Sequence, residues 1–310
     1  MNTLPATVES PPAEPRELEP TPSGGARGIR YMLASALAFS VMSLFVKWAG
    51  TRLPSQEIVF ARSFTMLAMT LVLLRRAGVD PRGHRRGLLV LRGLYGFGGL
   101  SCAYYAITHL PLAEATLLSY LHPIFTALLA IRVLGERPQP RLTLAIATSS
   151  AGLVLVTRPF GLLGGATTPL DPLAVTVAIG GAVFVAAAYV GVRQLSRTEH
   201  PFVTVLYFPL VAAPASLPAT LLHGVWPTGH EWLALAGVAL FAQLGQVWIT
   251  RGLALVPAGR ATTISYAQVG FAALWGALLF GEIPGPATAL GTLLIFLGTA
   301  VGARGAMRSS

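Results

Sequence analysis

Long apolar runs alternate along the chain with short clusters of Arg, Pro and Gly, and the runs are of similar length. They fall at 29–49, 56–74, 87–107, 113–134, 142–158, 173–194, 202–222, 232–252, 259–280 and 286–303. A helix crossing the hydrocarbon core of a bilayer needs about 20 residues. The pattern therefore predicts an all-α integral membrane protein with ten transmembrane helices. The seventh run carries Pro209, Pro214 and Pro218, which would break a soluble helix but are tolerated where neighbouring helices re-satisfy the freed carbonyls. Ahead of the first run, residues 1–27 include Pro11, Pro12, Glu14, Pro15, Glu17, Glu19 and Pro20 without an apolar stretch. That composition predicts a disordered arm rather than a cleaved signal.

The runs are also related to one another. Shifted by 146 residues, the chain falls on itself without a gap. Leu110-Pro111-Leu112-Ala113-Glu114-Ala115-Thr116 meets Val256-Pro257-Ala258-Gly259-Arg260-Ala261-Thr262. In the same register Tyr120 meets Tyr266, Phe125 meets Phe271, Gly135-Glu136 meets Gly281-Glu282, Pro138 meets Pro284, Gly152 meets Gly298 and Arg158 meets Arg304. Five spans per copy is an odd number, so the second copy enters the membrane upside down. The fold is thus predicted as two inverted five-helix repeats, at 28–160 and 170–304. Inverted repeats in secondary transporters place the substrate near the midplane and exchange the conformations of their halves.

Charge orients the arrangement. With the N-terminus inside, seventeen Lys and Arg fall on the cytoplasmic side and three (Lys47, Arg52 and Arg158) on the other, while Arg62 and Arg92 stay within spans. The positive-inside rule then places both termini in the cytoplasm. It also gives the net charge of +10 a membrane cause, so nucleic acid is not an expected partner. The expected partners are the lipid bilayer and a small-molecule substrate, with monomer and homodimer both open. Charged residues make up 11% of the chain, against about 25% in a soluble domain.

Glu57-Ile58-Val59-Phe60-Ala61-Arg62, Leu91-Arg92-Gly93, Leu110-Pro111-Leu112-Ala113-Glu114-Ala115, Leu134-Gly135-Glu136 and the weaker echo Leu279-Phe280-Gly281-Glu282 occur in this order. Together they resemble the drug/metabolite transporter superfamily, EamA type, over about residues 28 to 304. The resemblance implies a bacterial inner-membrane carrier with ten helices. Its cavity would be lined by the first, third, fourth, sixth, eighth and ninth, with the fifth and tenth peripheral. It further implies metabolite transport, commonly export of amino acids or related compounds. Val203 and Phe208 stand where Glu57 and Arg62 would recur in the second copy, so the first copy alone can carry those charges.

Arg62 and Arg92 are the first candidates for chemistry, because a charge within a span is costly unless it is paired or faces a polar cavity. As a pair they would bind a carboxylate. The competing reading has Arg62 neutralise Glu57 or reach a helix end, and Arg92 snorkel to the cytoplasmic interface. Ser40, Tyr104, Tyr120, His122, Gln243, Gln246, Trp248, Tyr266, Gln268 and Trp275 form the next layer. Among them, the repeat mates Tyr120 and Tyr266, and His122 and Gln268, are the best candidates for the cavity. Packing between helices and anchoring at the interface are the alternative uses of such groups. Lys47 and Arg193, at the ends of the first and sixth spans, read as interfacial anchors. Gly93, Gly96, Gly98 and Gly99 read as close helix contacts, and Gly135 and Gly281 as helix ends.

Absences narrow the function. No carboxylate lies in mid-span, which argues against proton-coupled export of lipophilic cations; His122 could titrate instead, or the substrate could run down its own gradient. One cysteine, Cys102, and no His/Cys cluster leave no expected metal site or cofactor. A membrane enzyme would need a nucleophile or paired carboxylates, and Thr148-Ser149-Ser150 sits on a helix expected to be peripheral. A non-transporting receptor or assembly subunit with the same fold is the remaining alternative to a transporter.

Overall fold

The computed structural model describes residues 22–110, 112–137, 139–157, 170–280 and 286–307, and no strand occurs among them. Pro111, Pro138, Arg158, Gly281-Glu282 and Pro284, all used in the sequence reading, lie outside the described residues. So do residues 1–21 of the expected arm, whose last residues already belong to the first helix. Among the described residues twelve helices follow one another: α1 (Pro22–Ala49), α2 (Ser55–Ala77), α3 (Arg86–His109), α4 (Leu112–Ser119), α5 (His122–Leu134), α6 (Pro140–Thr157), α7 (Pro172–Leu195), α8 (Pro201–His223), α9 (Gly229–Leu255), α10 (Ala258–Ile264), α11 (Ala267–Phe280) and α12 (Pro286–Met307). Among the described residues, six segments are long and apolar enough to cross a membrane. The expected fourth and ninth spans are each interrupted, α4 by α5 and α10 by α11, so the twelve helices run as ten rods.

The shift of 146 residues read from the sequence also relates the element boundaries. It carries α2 onto α8 end for end, the last residues of α1 and α3 onto those of α7 and α9, and the first residue of α6 onto that of α12. Packing obeys the same exchange. α1 packs along α9 as α3 packs along α7, and α2 packs on its mate α8 as α6 packs on α12. Both mate pairs are antiparallel. Val225 N–H, just past α8, donates to Glu57 in the first turn of α2 at 2.9 Å, whereas Leu74 near the end of α2 clusters with Val203 near the start of α8. On the other pair, a Cβ at Gly152 would meet Ile295 while one at Gly298 would meet Ser149 and Ala145. Two copies whose corresponding helices run in opposite directions are related by a two-fold axis across the bundle.

Small residues set how closely the rods approach. On α3, a Cβ at Gly93 would stand 2.6 Å from the Tyr207 carbonyl oxygen, and one at Gly99 2.7 Å from the Val185 side chain. Glycine lets α3 lie in direct backbone contact with α7 and α8, as small residues do where apolar burial does not drive helix association. Gly135, in the left-handed region at φ 67°, ends α5, and its conformation is one that a Cβ disfavours.

Polar groups tie the helix ends. Glu199 accepts from the backbone N–H of His84 at 2.8 Å, at the start of α3, and Glu136 Oε1 accepts from Ala258 N–H at 2.8 Å, at the start of α10. Glu231 pairs with Arg52 and accepts from Thr228 N–H at 2.6 Å. Asp171 accepts from Leu173 N–H and Asp80 from Arg82 N–H, both at 3.0 Å. With Glu57 on Val225, these are all the carboxylates whose side chains are described, and each satisfies N–H groups that a helix end or turn leaves open.

Candidate functional site

Between α2, α3, α7, α8 and α9 lies a cavity of about 190 Å³, and the two intraspan arginines line it. Arg62, on α2, is 7% exposed and Arg92, on α3, 4% exposed. Both guanidinium carbons sit 5.5 Å from the centroid of the Phe208 ring, which they share. Phe208 is the repeat mate of Arg62, so the position that carries the cation in one copy carries its aromatic platform in the other. A guanidinium over an aromatic face is attracted by the ring quadrupole, more strongly when desolvated. Arg92 Nη2 donates to Gln246 Oε1 at 2.9 Å, while its Nε and Nη1 make no hydrogen bond. The snorkelling expected of Arg92 does not occur. Its side chain turns inward because Gly93 and Gly96 bring α3 so close to α8 that the guanidinium faces Phe208 and Gln246.

Tyr189 on α7 also lines this cavity and links it to a second polar group. The His122 ring stands edge-on to Tyr189, with centroids 5.4 Å apart. Beyond it, the centroids of Tyr120 and His122 are 5.8 Å apart, as are those of Tyr120 and Tyr266. His122 is 8% exposed, and its Nδ1 lacks a hydrogen-bond partner.

The interrupted helices put these residues in place. At the first interruption, Ile124 N–H donates to Leu121 O at 3.0 Å, a three-residue bond. At the second, Val269 N–H does the same to Tyr266 O at 2.9 Å. Tighter bonding of this kind within a longer rod is common at functional hinges. The Tyr120 carbonyl instead accepts from the Tyr266 hydroxyl at 3.0 Å, which also lies 3.1 Å from Ser150 Oγ. Ser150 is on α6, a helix implied by the resemblance to be peripheral, yet it helps hold Tyr266.

Of the residues anticipated from the sequence, Arg62, Arg92, Gln246, His122, Tyr120 and Tyr266 are brought together, joined by Tyr189 and Phe208. The others are placed differently. Ser40 donates to Leu37 O at 2.7 Å and accepts from Trp275 Nε1 at 3.1 Å, tying α1 to α11. Gln243 and Thr70 bond each other between α9 and α2. Trp248 and Gln268 are half-buried on α9 and α11, outside the lining of the arginine cavity. Tyr104 lies on α3, but its side chain falls outside the described residues. Arg193, read as an interfacial anchor, donates to Leu253 O at 2.9 Å and Ala254 O at 2.6 Å, capping the end of α9.

Two aromatic lining residues were not among the candidates read from the sequence. Phe208 had a signal, since it stands opposite Arg62 under the repeat. Tyr189 had none, because its mate is Ser43 and its neighbours are apolar. No group of three or more potential metal ligands occurs among the described residues.

The EamA-like transporter family model matches this chain twice, at residues 26–158 and 172–302. A pseudopaline exporter, CntI, of Pseudomonas aeruginosa is 33% identical over 269 residues, covering 86% of this chain and 93% of that protein. Solute carrier family 35 member G1 of Homo sapiens is 30% identical, covering 87% and 77%. An S-adenosylmethionine uptake transporter of Rickettsia prowazekii is 24% identical, covering 88% and 90%. A solved crystal structure superposes with a TM-score of 0.79 at 24% identity, covering 92% of this chain and 99% of that one. At that identity it bears on the fold alone.

Proposed function

Because the chain belongs to the EamA-like transporter family and is a multi-pass membrane transporter with a small-molecule substrate, we propose that it exports an amino acid or a related compound by alternating access. In this reading all ten rods cross a bacterial inner membrane as two inverted repeats, 28–160 and 170–304, behind a cytoplasmic arm at 1–27, with both termini inside. The substrate occupies the arginine cavity and extends towards Tyr189, His122, Tyr120 and Tyr266. One observation carries the reading: Arg92 is buried with two nitrogens unbonded in a cavity where the two repeats meet. A guanidinium left in that state is costly in a membrane interior unless a ligand completes its hydrogen bonds.

The antiparallel mates support alternating access, since swapping the conformations of the two copies converts a cavity open to one side into one open to the other. Export follows the name of the Pseudomonas relative; the Rickettsia relative is named for uptake, so transport assays must resolve direction.

Counterflow in proteoliposomes tests the proposal. Vesicles preloaded with unlabelled amino acids, nucleosides or S-adenosylmethionine should take up the matching labelled compound saturably, and His122→Ala should abolish that uptake without unfolding the protein. Absence of exchange across the panel by folded protein would favour a non-transporting membrane receptor.

A further inference from the structure

The wall of the arginine cavity is chemically one-sided. Arg92 brings a guanidinium whose Nε and Nη1 are unbonded. The carbonyl oxygen of Gln246 already accepts from Arg92 Nη2 at 2.9 Å, which leaves its amide N–H groups for a ligand. Leu100, Ala103, Val185 and Ala188 add apolar surface, and no Asp or Glu lines the cavity.

Groups that could meet an ammonium are engaged elsewhere. Glu57 accepts from Val225 N–H, Glu136 from Ala258, Glu199 from His84 and Glu231 from Thr228. Carriers also coordinate cations with carbonyls freed where a helix is interrupted. Here the Tyr120 carbonyl accepts from the Tyr266 hydroxyl, Leu121 O from Ile124 N–H and Tyr266 O from Val269 N–H. The Phe208 ring already has two guanidinium carbons 5.5 Å from its centroid, so a further cation there would meet like charge.

We infer that the cargo is a short monocarboxylate with an apolar body and no ammonium beside its carboxylate, a hydroxy or oxo acid rather than the amino acid of the same shape, held by that carboxylate on Arg92. This rests on the transport reading above and narrows it to the relatives of amino acids. Guanidinium N–H groups match a carboxylate in geometry and charge. An ammonium one carbon away from that carboxylate is carried in close to the guanidinium with no anion on the wall beside it, and burying a cation without such a partner is costly. A hydroxyl or oxo group on the same carbon needs only neutral partners, which Gln246 and Tyr189 provide. Size agrees, because a cavity of about 150 Å³ already holds a benzene ring and this one has about 190 Å³.

The test uses purified full-length protein in proteoliposomes at neutral pH, with rates taken net of protein-free vesicles. Two pairs of labelled compounds differ only in the group beside the carboxylate: L-leucate with L-leucine, and L-phenyllactate with L-phenylalanine. Counterflow of the hydroxy acid should exceed that of its amino acid tenfold or more in at least one pair. L-leucinamide, which keeps the ammonium and lacks the carboxylate, should not exchange. Arg92→Gln should slow hydroxy-acid counterflow at least tenfold and narrow the gap within the pair, with Arg92→Lys restoring part of the rate. The wild-type comparisons decide the matter even if the variant fails to fold. Amino acids that match or exceed their hydroxy acids in both pairs would overturn the inference and leave the transport reading intact, as would exchange of L-leucinamide. No counterflow of any of the four acids would overturn the inference, and the wider panel above then tells whether transport itself fails.

Discussion

The phenol of Tyr266 donates a 3.0 Å hydrogen bond to the backbone carbonyl of Tyr120, the residue 146 positions upstream that occupies the same place in the first repeat. The two interrupted helices are thus joined at their interruptions, each by its own counterpart. The bond is made by one copy to the other, so the pair is alike in position but not in role. Tyr266 is fully buried, whereas Tyr120 is half-buried and neighbours His122.

Tyr266→Phe keeps the ring and removes the hydroxyl that reaches both Tyr120 O and Ser150. A buried neutral hydrogen bond contributes about 1 kcal/mol, and a carbonyl left without a partner costs about 1–3 kcal/mol. The variant should be less stable by about 1–2 kcal/mol in thermal or denaturant unfolding in detergent, and its counterflow should fall. Ser150→Ala, which leaves the Tyr120 bond intact, should cost less on both measures.

Helix contact at α3 is tested by two alanines. A methyl at Gly93 would stand 2.6 Å from the Tyr207 carbonyl, whereas one at Gly87 would meet nothing within 4 Å. Overpacking against backbone costs about 1–3 kcal/mol, so Gly93→Ala should lower the melting temperature. Gly87→Ala should leave it unchanged or raise it slightly through helix propensity.

Glu136 joins the end of the first repeat's broken helix to the start of the second's. It accepts from Ala258 N–H at 2.8 Å and lies 4.0 Å from Arg193 Nε. Glu136→Ala should destabilise by about 1.5–3 kcal/mol, the range for a hydrogen bond to a charged group. Glu136→Gln, which still offers an acceptor, should lose less, as chemical unfolding of the two variants would show.

His200 supplies a pH-dependent contact at the start of α8. Its Nδ1 accepts from Phe202 N–H at 3.3 Å, and burial together with Arg251 holds its pKa below the ordinary 6.5. The folded state resists protonating this ring more than the unfolded chain does, so its stabilising effect is present above 6.5 and is lost as pH falls through the depressed value. Melting temperatures should drop between pH 8 and pH 5.5 by less in His200→Asn, which keeps an uncharged cap, than in wild type.

The repeat was legible in the sequence because its punctuation is chemical. Pro257 starts α10 and Gly135 ends α5, and neither role passes easily to another residue type. Hydropathy located the rods for the same reason, since a run of about 20 apolar residues has few other uses. The interruptions at Tyr120 and Tyr266 were hidden, because the apolar pattern continues through them and the second has no proline of its own. Within the site, charge made Arg62 and Arg92 stand out, and Tyr120, His122 and Tyr266 followed from symmetry. Tyr189 looked like any aromatic residue in an apolar helix, and its role depends on the crossing of α7 over α3. Ser40 and Gln243 belong to the same polar layer, and Trp275 and Thr70 satisfy them between helices. A polar letter in a span does not say which neighbour it faces.

Alternating access is the central claim, and cysteine accessibility tests it most directly. In a Cys102→Ser background the protein has no other thiol, so Ala103→Cys introduces a single probe at the cavity wall. Membrane-impermeant maleimide would be applied to right-side-out and inside-out vesicles, with and without saturating cargo. The account predicts labelling from both sides, in proportions that cargo shifts. Labelling from one side alone under every condition would contradict it.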